Sequence, residues 1–115
     1  MRQVVLTTGE FSTEDEAIAL AEAAGLTPLT LDLEPSGIDH WHDFGASVYV
    51  LDGSVTVTDV ASGSSYVLTA GCSIRATPGA VHREEGAPYR AVVAFESDPA
   101  TLTMPVDKSP ADAPA

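Results

Sequence analysis

The chain of 115 residues is poor in cysteine and in basic residues. Its single cysteine, Cys72, excludes an internal disulfide framework and a zinc knuckle made of cysteines, and it fits a reducing compartment. Five Lys and Arg stand against seventeen Asp and Glu, which gives a formal net charge of −12 at pH 7. A domain this acidic repels phosphate backbones and anionic lipids, so we expect neither nucleic acid nor a membrane as a partner.

Long apolar runs are also missing from the sequence. No stretch approaches the ~20 apolar residues of a membrane span, and the apolar run within residues 1–9 is too short for a signal peptide. We therefore expect a cytoplasmic protein. The length suits one hydrophobic core and is too small for two, so residues 1–104 are predicted to form a single domain. Residues 105–115, rich in proline and alanine, are predicted to be a flexible tail.

Residues 12–25 carry the signals of one helix. Thr13, followed three residues later by Glu16, forms a capping box, and Gly25 suits the position just beyond the last turn. Apolar residues between them recur at helical spacing. We expect this helix to close one end of a β domain, with docking of a partner as the alternative.

Beyond this helix, short extended segments alternate with turns such as Asp52-Gly53 and Pro78-Gly79. The segments are rich in β-branched residues or alternate between apolar and polar positions, and they span residues 27–34, 47–51, 54–60, 66–68, 74–77, 81–85 and 89–95. Many short strands at this spacing predict an antiparallel sandwich or barrel.

Three histidines carry the strongest functional signal. His40 and His42 are two residues apart, so on a strand both imidazoles project from the same face. His82 follows the Pro78-Gly79 turn in another short strand, which a barrel can bring beside the first. Three imidazoles without a fourth protein ligand suit a catalytic metal with open positions. The alternative is that these are unrelated surface or core histidines.

The two histidine segments resemble the paired motifs of the cupins, commonly written G-x5-H-x-H-x3,4-E-x6-G and G-x5-P-x-G-x2-H-x3-N. The residues in register with these motifs are His40, His42, Gly53, Gly71, Gly79 and His82. The resemblance covers roughly residues 27–96. It implies an all-β fold, an antiparallel double-stranded β-helix or jelly roll, that holds a divalent metal inside, here with one N-terminal helix added.

The sequence departs from the first motif at the glutamate ligand, where Ala46 stands. The resemblance is therefore to three-histidine cupins, among them iron-dependent dioxygenases of thiols and of diketones. It implies a metal on His40, His42 and His82, with iron expected first and zinc, nickel, manganese, copper or cobalt as alternatives. A dication without an anionic ligand keeps more of its charge, so a bidentate anionic substrate is better accommodated.

Three other residues are candidates for the site. Glu84 lies two residues after His82 and should share its face, where it would act as a ligand or proton shuttle; the alternative is a solvated residue. Arg75 could clamp a carboxylate substrate if it faced inward, or it could be a surface residue. Phe44 could wall the pocket or fill the core.

Trp41, Tyr49 and Leu51 have the opposite parity to the histidines. They could form an apolar outer patch that supports a homodimer, or they could pack under the N-terminal helix.

We expect a metal-dependent enzyme of the dioxygenase type that acts on a small molecule. The alternative is a non-catalytic module that binds or senses a small ligand. A third hypothesis is a metal-independent sugar epimerase, which would need a tyrosine beside a histidine, but Tyr49 is on the wrong face to join His42.

Overall fold

The computed structural model describes residues 4–8, 11–96, 98 and 108–110. Within these ranges the chain forms eight strands and one helix. In chain order they are β1 (Val4–Thr8), α1 (Glu14–Ala23), β2 (Thr27–Leu33), β3 (Ala46–Asp52), β4 (Ser54–Asp59), β5 (Ser65–Thr69), β6 (Cys72–Ala76), β7 (His82–Glu85) and β8 (Tyr89–Phe95).

The strands form two antiparallel sheets. One has five strands in the order β1-β6-β3-β8-β2, and the other has three in the order β5-β4-β7. Both sheets contribute to the main hydrophobic core, whose buried residues are Val50, Val55, Val57, Leu68, Ile74, Tyr89 and Ala91. This arrangement confirms the predicted antiparallel jelly roll with one helix, and each predicted strand segment overlaps an observed strand.

Helix α1 begins as its capping signals predict, with one difference. The Thr13 hydroxyl accepts a hydrogen bond from the backbone N–H of Glu16 at 3.2 Å. The Glu16 carboxylate, however, reaches back to Ser12, whose N–H and hydroxyl donate to it at 3.1 and 2.8 Å. These bonds from Ser12, assisted by Thr13, lower the pKa of Glu16. Gly25 adopts a φ of 78° just past the helix end, which only glycine reaches without strain.

The apolar stripe of α1 is buried against the outer face of the five-stranded sheet. Ala17 and Ala21 are fully buried there and pack against Tyr49 and Val92. The helix therefore closes part of the β domain, as predicted. No helix in the described part of the chain is long and apolar enough to span a membrane.

The chain itself covers Trp41, Tyr49 and Leu51, so they form no exposed patch, and Tyr49 and Leu51 pack under the helix as the alternative had it. Tyr49, 7% exposed, meets Phe11 edge to face with ring centroids 5.6 Å apart, and Leu51 packs in the same cluster under α1. Trp41 is 8% exposed, and its Nε1 donates to the Ser109 carbonyl at 2.8 Å. The homodimer itself stays a prediction without an assigned surface.

Two segments near the ends of the chain join the fold. β1 pairs with β6 at one edge of the large sheet, a strand that the apolar run within residues 1–9 does not by itself predict. Lys108 forms an antiparallel bridge with Trp41. Residues 105–107 and 111–115 lie outside the described residues, so the flexibility of the tail stays a prediction there.

Candidate metal centre

The three histidines of the sequence converge within the fold. A ligand atom from each of His40, His42 and His82 lies within 4.8 Å of those of the other two. Their ring centroids are separated by 4.5 Å (His40–His82), 5.1 Å (His40–His42) and 5.2 Å (His42–His82). His40 and His82 are only 6% and 3% exposed, and His42 is half-buried. Three imidazoles that lie this close together, with two of them buried, form a cluster with the donor set of a metal site.

Backbone pairing explains why residues so far apart in sequence meet. His40 and His82 form an isolated antiparallel bridge in which each N–H donates to the other's carbonyl at 2.8 Å. Directly paired residues of antiparallel strands place their side chains on the same face. The Pro78-Gly79 turn is fastened to the first histidine segment as well, because the Gly79 N–H donates to the His42 carbonyl at 2.9 Å.

Two of the imidazoles are oriented by hydrogen bonds that suit metal binding through Nε2. Nδ1 of His40 lies 2.8 Å from the Ile38 carbonyl, and Nδ1 of His82 lies 2.9 Å from the Ala80 carbonyl. A carbonyl oxygen only accepts hydrogen bonds, so Nδ1 carries the proton on both rings. The lone pair of each neutral ring is therefore on Nε2.

The third imidazole is oriented by stacking. The rings of His42 and Phe44 are nearly parallel, with an angle of 9° between their planes and centroids 4.9 Å apart. Phe44 in turn meets Phe95 at 5.7 Å. Phe44 both fills a small apolar cluster and lines the cavity beside the histidines, so the two roles considered for it coexist.

A cavity of about 270 Å³ adjoins the histidines. Its walls are mostly aliphatic and aromatic, and they include Leu33, Ala46, Val48, Val57, Ile74 and Val93. The methyl group of Ala46 offers no ligand atom, so the cluster has three imidazoles and no carboxylate from this position. A cavity of this size and lining can hold a small molecule next to the histidine cluster.

Glu84 faces the cavity, as strand alternation predicted. Its Oε1 lies 3.8 Å from Nε2 of His82, and its side chain is 25% exposed. That separation is too long for a hydrogen bond, but it places the carboxylate next to the histidine cluster.

Tyr89 is a buried cavity residue that sequence analysis missed. Burial raises the pKa of its phenol above the ordinary value, and the charge of Glu84 raises it further. Tyr89 adds a phenol to a cavity lining that also contains Glu84. Strand alternation along residues 89–95 could have identified Tyr89 as inward-facing, because Val93 and Phe95 have the same parity and line the same cavity.

Arg75 does not clamp a ligand in the cavity. Its guanidinium is exposed and pairs with Glu96 at 2.7 Å on the surface. Arg75 therefore occupies the surface position considered as the alternative, and a substrate carboxylate would find no partner in it.

Comparisons with known proteins agree with this architecture. The family model described as "Cupin domain" matches residues 29–94, which is more than half of the chain. The fold is similar to the crystal structure of a DUF861 family protein from Thermotoga maritima, with a TM-score of 0.56 and 21% identity; the match covers 81% of this chain and 99% of that one. No curated protein matches the chain significantly. On the match over residues 29–94, supported by the jelly roll and by motif histidines that meet in its interior, this chain belongs to the cupin family.

Proposed function

We propose that the protein binds one divalent transition metal on His40, His42 and His82 and acts on a small molecule held in the adjoining cavity. The observation that carries this proposal is the pair of Nδ1–carbonyl contacts. They place a proton on Nδ1 of two of the three rings, so the neutral form of each ring has its lone pair on Nε2, and such outer contacts are typical of histidines that ligate metals. Histidines that merely fill a core would not need to share this orientation around a common point.

Iron(II) is the metal we propose, with zinc, nickel, manganese, copper or cobalt as alternatives, since imidazole suits several of them. When bound, iron(II) supplies the redox chemistry of a dioxygenase. The chain's residues supply the rest: three neutral imidazoles hold the metal from one side, the apolar walls orient a small substrate, and Phe44 keeps water from one flank of His42.

The second candidate is a cupin that binds or senses a small ligand without turnover. The observation that favours it is the mostly apolar lining, which grips a ligand but offers few groups for proton transfer. The epimerase hypothesis has no support from Tyr49, which is buried under α1 instead of standing beside His42.

Metal analysis and oxygen uptake test the proposal. The protein is prepared metal-free, loaded with Fe²⁺ or with redox-inert Zn²⁺, and assayed in an oxygen electrode against a panel of thiols and diketones. We expect about one metal per chain and oxygen uptake in the iron form alone. Failure to bind any of the metals overturns the proposal. Metal binding with saturable ligand binding, but without oxygen uptake, favours the second candidate and overturns the dioxygenase. A cytoplasmic location and a homodimer remain part of the proposal.

A further inference from the structure

The charged side chains that line the cavity are all acidic, within the residues that the structure describes. Glu34 and Glu84 line it, whereas no Lys or Arg of the described ranges does. The described Lys and Arg residues are instead paired with carboxylates elsewhere: Arg75–Glu96 at 2.7 Å, Arg83–Glu85 at 2.9 Å, Arg90–Asp32 at 3.2 Å and Lys108–Asp43 at 3.8 Å. Among the described residues, the cavity lining therefore adds carboxylates, and no Lys or Arg, to the three histidines.

The sheet itself directs Glu84 toward the histidines. In the register of β4 and β7, Glu84 is the direct partner of Val57, which is buried and lines the same cavity. Direct partners share a face, so the inward direction of Glu84 follows from the pairing. The strand is also tied by the Gly37 N–H, which donates to the Glu84 carbonyl at 2.9 Å.

Ala46 lines the same cavity from the opposite sheet. It stands where the first cupin motif carries a glutamate. The cavity thus lacks a carboxylate on β3 and has one on β7, with Oε1 3.8 Å from a ring nitrogen of His82.

We propose that Glu84 is the carboxylate of this metal centre and takes over, from β7, the role of the glutamate missing at Ala46. Its negative charge offsets part of the charge of a dication held by three neutral imidazoles. It also accepts a hydrogen bond from water or a ligand in an open position. With this charge in place the centre does not need an anionic substrate, in contrast to the expectation from three histidines alone. The inference rests on the proposed function, since it requires a metal on the histidines.

The first test compares Zn²⁺ affinity in Glu84→Gln and Glu85→Gln, measured by competition with a chromophoric chelator. Glu85 is the matched control, because it is the next residue of β7, is exposed, and pairs with Arg83 on the surface. We expect Glu84→Gln to weaken Zn²⁺ binding about tenfold or more, as losses of outer partners of metal ligands do. We expect Glu85→Gln to stay near wild type. Equal affinities or equal losses in the two variants overturn the inference.

The second test measures anion affinity at the metal, which depends on the charge of the residues around it. Azide is titrated into the Co²⁺-loaded proteins and followed by the visible spectrum of Co²⁺. Removing the Glu84 charge should strengthen azide binding about tenfold, whereas Glu85→Gln should leave it unchanged. A role of Glu84 in folding alone would not raise anion affinity. Unchanged or weaker azide binding in Glu84→Gln overturns the inference.

A rescue variant completes the design. Ala46→Glu is added to Glu84→Gln, which returns a carboxylate to the cavity from β3. We expect Zn²⁺ affinity to recover, with the fold checked by far-UV circular dichroism. A folded double variant that binds as weakly as Glu84→Gln overturns the equivalence of the two positions. If wild type binds none of the proposed metals, the proposed function itself fails; if wild type binds Zn²⁺ and Glu84→Gln binds it equally well, only this inference fails.

Discussion

His40 and His82 exchange two backbone hydrogen bonds of 2.8 Å, and their imidazole centroids lie 4.5 Å apart. Each ring also directs Nδ1 to the carbonyl two residues earlier in the chain. The same local conformation is thus repeated on the two paired segments. In the neutral form of each ring, this contact leaves the lone pair on Nε2.

Replacement of one imidazole should remove metal without unfolding the protein. In His82→Ala we expect Zn²⁺ affinity to fall by at least tenfold, since one of three ligands is lost, while the far-UV circular dichroism spectrum stays close to wild type. The apolar core provides most of the burial, so the fold does not depend on this ring. In wild type, affinity should also fall as pH is lowered, because protons compete for the imidazoles. Full stoichiometry and affinity in folded His82→Ala would rule out the assigned ligand.

The contact between α1 and the large sheet leaves no room for larger side chains. Ala21 is fully buried against the sheet, so Ala21→Leu should lower the free energy of unfolding by about 1–3 kcal/mol through overpacking. Ala19 lies on the exposed side of the same helix and provides the control. Ala19→Leu should change the free energy by less than about 0.5 kcal/mol. Urea unfolding of both variants checks this, and equal effects would contradict the observed helix orientation.

Tyr89 should make the fold sensitive to alkaline pH. Its pKa is raised in the folded protein, so the folded state favours the neutral phenol. The resulting contribution to stability is complete below the unfolded-state value near ~10 and is lost as pH rises above it. We expect the wild type to lose more stability than Tyr89→Phe when thermal unfolding is compared at neutral pH and above about pH 10. Parallel losses in the two proteins would contradict this.

The contact between Trp41 and the segment at residues 108–110 is testable by truncation. Removing residues 108–115 deletes the backbone bridge to Trp41 and the Ser109 carbonyl that accepts from its indole. We expect the tryptophan emission to shift to longer wavelength because the indole becomes exposed to water. Removing only residues 111–115 retains both contacts and should leave the emission unchanged. An identical spectrum in the two truncated proteins would count against the contact.

Short-range periodicity was sufficient to predict the inner face of the fold. Alternation predicted that His40 and His42 lie together and that Glu84 shares the space of His82. Both hold, although His40 and His42 lie outside the named strands. The helix was predictable for the same reason, since Thr13 and Glu16 act within one turn. Both signals are local, so the sequence contains them in full.

What covers the outer face was not predictable from parity. Alternation shows that Tyr49 and Trp41 point away from the histidines, but it does not show what lies above them. Tyr49 is covered by Phe11 and α1, and Trp41 by residues far along the chain. The pairing of β1 with β6 was hidden for the same reason, because it joins segments separated by more than half of the chain. Such contacts depend on the assembled topology.

The bridge between His40 and His82 lies outside the named strands, yet it connects two segments separated by about a third of the chain. A metal held by both residues would act as a reversible cross-link between these two segments. A ligand that binds only the folded form raises its stability with the logarithm of its free concentration, by about 2.7 kcal/mol at one hundred times the dissociation constant. Metal supply would then set the lifetime of the folded chain as well as its chemistry. Protein from which a chelator has removed the metal would be the form most readily cleaved by proteases around the Pro78-Gly79 turn.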